Sequence, residues 1–85
     1  MKAIIVYREN TEYERDVISW LREFEYRTHK KIEHVNPDTR DGTAFCSVYD
    51  IVEYPTVVAL DDSGKMQSMW RGLPLPLIDE VSYYV

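Results

Sequence analysis

The sequence holds a single cysteine, Cys46, among 85 residues. One thiol excludes an intramolecular disulfide, and the absence of a CxxC motif excludes dithiol redox chemistry and the zinc sites built on such pairs. A chain without a disulfide framework fits a cytoplasmic location. Long hydrophobic runs are also absent. The apolar stretch 3–7 is followed directly by charges, so it predicts neither a signal peptide nor a membrane span, and we expect no membrane partner.

Basic charge is scarce as well. Ten Lys and Arg residues face fifteen Asp and Glu residues, which gives a net charge of −5 at pH 7. The one basic cluster, His29-Lys30-Lys31, is too short to outweigh this balance, so a nucleic-acid partner is not expected. His29 and His34 are five residues apart with no cysteine near them, a spacing that predicts no metal site.

What is present is an ordinary globular composition with 45 % apolar residues, at a length typical of one domain. Hydrophobic patterning predicts the order strand, helix, strand, helix, strand, strand, helix. These elements lie at about 3–7, 11–28, 31–35, 45–52, 56–60, 65–71 and 77–84. The two most apolar strands, 3–7 and 56–60, should be central neighbours. The predicted fold class is therefore α/β, a four-stranded mixed sheet flanked by three helices.

The start of the first helix carries a recognisable signal. Thr11-Glu12-Tyr13-Glu14 matches the capping box, in which the threonine hydroxyl and the glutamate carboxylate each accept from the other residue's N–H. Apolar residues spaced by three and four form the predicted buried face of each helix. These are Tyr13, Val17, Trp20, Leu21 and Phe24, then Phe45, Val48, Tyr49 and Val52, and finally Leu77, Ile78, Val81 and Tyr84.

The segment Tyr54-Pro55-Thr56 stands directly before a run of apolar residues, 57–60. Proline cannot donate to a sheet ladder, so Pro55 predicts the first residue of a strand. The run does not alternate, which indicates a strand covered on both faces. On base rates, about 5 % cis for X–Pro bonds, a trans bond would be the default at Pro55.

This order of elements, with a proline opening the third strand, resembles the thioredoxin superfamily at glutaredoxin size, over essentially the whole chain. The stretch from Tyr49 to Thr56 is similar to the family's tyrosine, cis-proline and threonine, and the resemblance implies that Pro55 is cis. On the glutaredoxin pattern Cys-Pro-Tyr-Cys, the cysteines fall on Thr11 and Glu14, and only Tyr13 matches. We therefore expect a redox-inactive member, because a cap replaces the thiolate that a helix N-terminus would stabilise.

The resemblance also implies a ligand groove beside the proline, formed by Tyr54, Pro55 and Thr56 with Tyr13 across it. Its expected occupant is a peptide segment of a partner protein or a small thiol such as glutathione, and no other cofactor is expected. Tyrosine suits such a surface because it joins apolar area to a polar tip. The alternative is that Tyr13 and Tyr54 only cover the core beneath the helix end.

Two other classes of function stay open. Cys46 could serve a single-thiol oxidoreductase, although free cysteine is usually a buried structural residue. A transferase-like variant would use the hydroxyl of Thr11 or Tyr13, but 85 residues leave no room for a helical second domain. Alternatively, the segment 82–85 with Trp70 on an edge strand could form a homo-oligomeric assembly surface. We therefore expect a monomer or a weak homodimer.

Overall fold

Seven elements follow one another in the predicted order in the computed structural model, which describes residues 1–85. They are β1 (Lys2–Val6), α1 (Glu14–Thr28), β2 (Glu33–Val35), α2 (Arg40–Tyr49), β3 (Thr56–Leu60), β4 (Met66–Arg71) and α3 (Ile78–Ser82). The α/β class and the four-stranded mixed sheet with three helices are confirmed. None of the helices combines the length and the apolar character that a bilayer crossing requires.

The sheet has the strand order β2-β1-β3-β4, so the two most apolar strands are central, as predicted. β1 runs parallel to β2, and antiparallel pairing joins β1 to β3 and β3 to β4. In the β1–β3 pairing, Val6 lies opposite Thr56. The residues that follow β1 and those that precede β3 therefore meet at the same end of the sheet.

Both faces of the sheet are covered, which explains the apolar runs without alternation. Ala3, Ile5 and Val57 lie on one face, where they pack with Val17 and Phe24 of α1 and with residues of α3. The other face is covered by α2 and the segment after it, through residues that form a second cluster: Ile4, Val6, Cys46, Ile51, Val58 and Leu60. Residues of the same strand thus alternate between two cores.

The predicted capping box at the start of α1 is wrong. The carboxylate of Glu14 accepts from the N–H of Asn10 (3.2 Å) rather than Thr11, and the Thr11 hydroxyl donates to the carbonyl of Arg8 (3.0 Å). A turn precedes the helix, in which the N–H of Glu14 donates to the Thr11 carbonyl (3.3 Å). Asn10 has a positive φ of 59°, a conformation that asparagine tolerates. The helix therefore begins at Glu14, later than the capping box predicted.

The apolar stripe predicted for α2 is only half correct. Val48 and Val52 are 74 % and 75 % exposed. The helix begins earlier than its apolar residues suggest, because Thr39 caps it by accepting the N–H of Gly42 (2.9 Å). The buried residues of the helix are Gly42 and Cys46, and Phe45 and Tyr49 pack against the same core cluster as Cys46. A small residue and a thiol are weak signals in a hydrophobic pattern, whereas two exposed valines are strong ones.

The last helix is short, and one of its predicted core residues lies outside. Leu77 is 70 % exposed, whereas Ile78 and Val81 are buried as predicted. Leu77 is the residue before the first turn, and its N–H donates to the carboxylate of Glu80 (3.2 Å). The segment is tied to α1 by the indole of Trp20, which donates to the carbonyl of Pro76 (2.9 Å).

Candidate functional site

The three predicted site residues at the start of β3 differ in exposure. The side chains of Pro55 and Thr56 are buried, and Tyr54 is half-buried. The Tyr54–Pro55 peptide bond is cis, as is Leu73–Pro74. The Pro55 carbonyl accepts from the N–H of Gly72 (2.8 Å), and the Thr56 hydroxyl donates to the carbonyl of Glu53 (2.7 Å). Pro55 and Thr56 are thus anchored inside the fold.

The main chain of Tyr54 is different. Its N–H and its C=O make no hydrogen bond within the chain. Tyr54 lies just before β3, where the ladder to the neighbouring strands has not yet begun. Main-chain polar groups are strong hydrogen-bonding groups that are almost always paired, with water where no protein partner is present. This donor and acceptor can therefore pair with an extended chain laid against them.

Arg8 joins the parts of this region, although no sequence pattern singled it out. Its guanidinium carbon lies 4.8 Å from the centre of the Tyr54 ring, a cation–π contact. Its Nε donates to a carboxylate oxygen of Asp38 (3.1 Å), and its main-chain N–H donates to the Tyr13 hydroxyl (2.9 Å). The structure thus brings Tyr13 and Tyr54 into contact with the same residue.

The two terminal nitrogens of Arg8 make no hydrogen bond in the chain, and its side chain is about half exposed. A guanidinium held at Nε and stacked on a ring keeps its remaining donors in a fixed plane, which matches the geometry of a carboxylate. The pairing of Val6 with Thr56 could have revealed this contact, because it places the residues after β1 beside those before β3. An antiparallel neighbour for β1 would have had to be assumed first.

Cys46 lies beneath the site rather than on it. It is 7 % exposed on the sheet-facing side of α2, and Tyr54 packs against the same core cluster. Burial, and secondarily the neighbouring Cys46 thiol, raise the pKa of Tyr54 above its ordinary value near 10, and the Arg8 guanidinium partly opposes this. The Tyr54 phenol is therefore a protonated, neutral group at physiological pH.

A second tyrosine, Tyr7, lies at the end of β1 with 7 % of its surface exposed. Burial, followed by the carboxylates of Glu14 and Glu9, raises its pKa above the usual value near 10. The rings of His34 and Tyr7 meet edge to face, with their centres 5.8 Å apart. His29 takes no part in this contact and ends α1 in a left-handed conformation. No three His, Cys, Asp or Glu side chains lie close enough together to hold a metal ion.

The region around Tyr54 is an open surface rather than an enclosed pocket. Four surface cavities are present, and none is lined by Tyr13, Tyr54, Pro55 or Thr56. The largest, about 550 Å³, lies along the start of α1 and includes Thr11 and Glu14. An occupant of the Tyr54 region would therefore lie across the surface, as an extended peptide does on a strand end.

The comparison with solved structures identifies the fold. The chain is similar to thioredoxin 1 from the thermophilic eubacterium Thermosipho africanus TCF52B, with a TM-score of 0.68 and 14 % sequence identity. The similarity covers 99 % of this chain and 89 % of that one. No protein-family model and no curated protein matches the sequence. The chain therefore has a thioredoxin-like fold, and at this identity the likeness concerns the fold alone.

Proposed function

We propose that this protein is a thioredoxin-like binding module without redox activity of its own, which holds an extended peptide segment or a small thiol beside Pro55. The observation that carries the proposal is the unpaired main chain of Tyr54, which lies beside an exposed, oriented guanidinium. Main-chain pairing would supply affinity without demanding one ligand sequence. Arg8 would add a preference for a ligand that carries a carboxylate.

The redox-inactive part of the proposal rests on the start of α1. The hydroxyl of Thr11 and the carboxylate of Glu14 both make hydrogen bonds to the loop that precedes the helix. Neither residue is a thiol, and the only cysteine is buried. Nothing at the surface near α1 can therefore carry a disulfide exchange. Catalytic turnover in an insulin-reduction assay would contradict this part.

The binding part is tested by NMR. Isotope-labelled protein would be titrated with glutathione and with extended peptides that do or do not carry an acidic residue. We expect amide shifts centred on Tyr54 and Thr56, with Arg8 and Tyr13 responding as well. Shifts confined to residues away from Tyr13 and Tyr54 would show that the ligand binds elsewhere.

A matched pair of variants tests the role of the guanidinium. Arg8→Met keeps the length of the side chain but removes its charge and its donors, and we expect it to weaken binding of an acidic peptide about two- to five-fold. Arg22→Met makes the same change on the exposed surface of α1 and should leave binding unchanged. If the two variants weakened binding equally, Arg8 would act only through the net charge of the protein and not through a direct contact with the ligand.

The alternative role, a single-thiol oxidoreductase, requires Cys46 to become accessible. Its burial favours the structural role, because a buried sulfur is out of reach of a disulfide or a thiol reagent. Labelling by a thiol reagent distinguishes the two: rapid labelling of the native protein supports the oxidoreductase, and labelling only after unfolding supports the binding module. A cytoplasmic location and a monomeric or weakly dimeric state belong to the same proposal, and sedimentation at several concentrations tests the latter.

A further inference from the structure

A cavity of about 310 Å³ lies between the edge strand β4 and the end of α3. Five residues line it, and none of them belongs to the Tyr54 region: Ser68, Trp70, Glu80, Tyr83 and Tyr84. Three of the five are aromatic, and one is acidic. No basic side chain contributes to the lining.

The aromatic rings of the lining contact one another edge to face. Trp70 and Tyr84 meet at 69° with their ring centres 5.7 Å apart, and Tyr83 meets Tyr84 at 84° with the centres 5.1 Å apart. All three rings line the same cavity. Each face carries the negative end of the ring quadrupole, so such a space favours a cation.

Glu80 adds a full negative charge at this cavity. One of its carboxylate oxygens accepts the N–H of Leu77, and no Lys or Arg forms an ion pair with it. Its neighbour Asp79, by contrast, is paired with Arg27 (3.3 Å). The carboxylate of Glu80 is therefore held in place by the helix start while its charge is uncompensated. The net charge of −5 on the whole chain acts in the same direction.

The three aromatic residues of the lining differ in exposure: Trp70 and Tyr84 are half-buried, whereas Tyr83 is exposed. Tyr83 is 81 % exposed, although its ring contacts Tyr84. The indole N–H of Trp70 donates to no group in the chain, whereas that of Trp20 donates to Pro76. We propose that this cavity is a binding site for an alkylated ammonium cation, in which Trp70, Tyr83 and Tyr84 surround the alkyl groups and Glu80 neutralises the charge.

A quaternary ammonium fits this lining better than a free ammonium does. A free ammonium is a compact, strongly hydrated charge, and its three N–H donors hold the water that it would have to lose to contact the ring faces. A methylated cation has no donors to satisfy, sheds water more readily, and contacts ring faces with its alkyl groups. Choline and N-acetyl-Nε-trimethyllysine amide carry this group on a small molecule and on a protein side chain, respectively.

The test is a titration of labelled protein with choline chloride, followed through the two indole N–H signals. We expect the Trp70 signal to shift and saturate. The Trp20 signal serves as an internal control, because Trp20 does not line the cavity and its indole N–H is bonded to the Pro76 carbonyl. A parallel titration uses 3,3-dimethylbutan-1-ol, which has the shape of choline without its charge. Sodium chloride at matched ionic strength controls for salt. Trimethyllysine amide, added in the same way, shows which source of the group binds more tightly.

Two variants examine the lining. Glu80→Gln removes the charge but keeps an oxygen that can accept the Leu77 N–H, and Tyr83→Leu removes an exposed ring. Each should weaken choline binding about two- to five-fold. Tyr26→Leu is the matched control, because Tyr26 is a 75 % exposed tyrosine on α1, outside the cavity. It should bind choline as the unmodified protein does.

The proposal is overturned if neither choline nor trimethyllysine amide shifts the Trp70 signal at concentrations of tens of millimolar. Equal binding of the neutral isostere would overturn it too, because the site would then select apolar shape rather than charge. A shift of the Trp70 signal by the cations alone, reduced in both variants and unchanged in Tyr26→Leu, supports it.

Discussion

We predict that Gly42→Ala destabilises the protein, which is the opposite of the usual effect of this substitution in a helix. An alanine in the interior of a helix is normally more stabilising than glycine, by about 1 kcal/mol. Gly42 lies in the first turn of α2 and is buried against the chain before the helix. A Cβ built on it would lie 1.8 Å from the carbonyl oxygen of Asn36 and 2.8 Å from the Thr39 hydroxyl. The first contact is with main chain, which no side-chain rotation can relieve.

The magnitude follows from these distances. Carbon and oxygen atoms approach no closer than about 3.3 Å even in the weak C–H···O contacts of sheets. Gly42→Ala would therefore displace the 36–39 turn or the helix by more than an ångström. Overpacking of this kind costs about 1–3 kcal/mol, and displacing Thr39 also endangers the cap, worth about 1 kcal/mol. After the gain in helix propensity of about 1 kcal/mol, we expect a net loss of about 1–3 kcal/mol.

Urea unfolding followed by circular dichroism measures this loss as a lower midpoint at an unchanged slope. In a thermal scan, a domain of this size should melt about 4–24 °C lower. Ala44→Gly is the control, because Ala44 is exposed in the same helix and its change should cost about 1 kcal/mol from propensity alone. If Gly42→Ala proved neutral or stabilising, the close approach of α2 to Asn36 would be refuted.

Three further predictions concern single side chains. Thr39→Ala should destabilise the protein by about 1 kcal/mol in urea unfolding, because it removes the cap of α2, whereas Thr39→Ser should restore most of that loss. The pKa of Tyr7 is raised in the folded state, so the unfolded chain loses the phenol proton at a lower pH than the folded protein does. The contribution of Tyr7 to the free energy of unfolding is therefore fully present below about pH 10 and is lost as the pH rises above it. Tyr7→Phe should flatten that decline in unfolding experiments between pH 8 and 11. Val48→Ala should change stability by no more than about 0.5 kcal/mol, since Val48 is exposed, whereas Ile5→Val should cost about 0.5–1.5 kcal/mol; a larger loss at Val48 would place it in a core.

The sheet was predictable because its signals are local. β3 has the bounds that its apolar run and its opening proline predict, and β1 differs by one residue at each end. Burial on both faces leaves such strands apolar throughout, so a short stretch of sequence identifies them. Their central position follows for the same reason.

The helix starts were harder to predict, because competing hydrogen bonds decide them. Thr11 and Glu14 have the spacing of a capping box, yet both make bonds to residues upstream, Arg8 and Asn10. The spacing of the two residues is the same in either arrangement. Only the turn before the helix, with its left-handed Asn10, distinguishes them. Side chains that hydrogen-bond locally can therefore have the sequence spacing of a capping box and still bond to other main-chain groups in the structure.

The candidate site depends on pairs of residues that are distant in sequence, and this is why Arg8 was missed. Arg8 and Tyr54 are neighbours only because β1 and β3 are antiparallel, a relation that neither strand encodes by itself. Tyr13 and Tyr54, in contrast, were selected through the resemblance to the thioredoxin superfamily. From the sequence we predicted only aromatic rings and main-chain groups at this surface. The contact that both tyrosines make with Arg8 adds a positive charge to it.

The loop between β1 and α1 carries no thiol, so recognition at this surface would not depend on a reactive sulfur. Several of its main-chain groups are used internally: the N–H of Arg8 by the Tyr13 hydroxyl, its C=O by Thr11, and the N–H of Asn10 by Glu14. The groups without partners in the chain include the main chain of Tyr54 and the terminal nitrogens of the Arg8 guanidinium. A ligand bound here would therefore be selected by an extended backbone and a negative charge, rather than by a reactive sulfur.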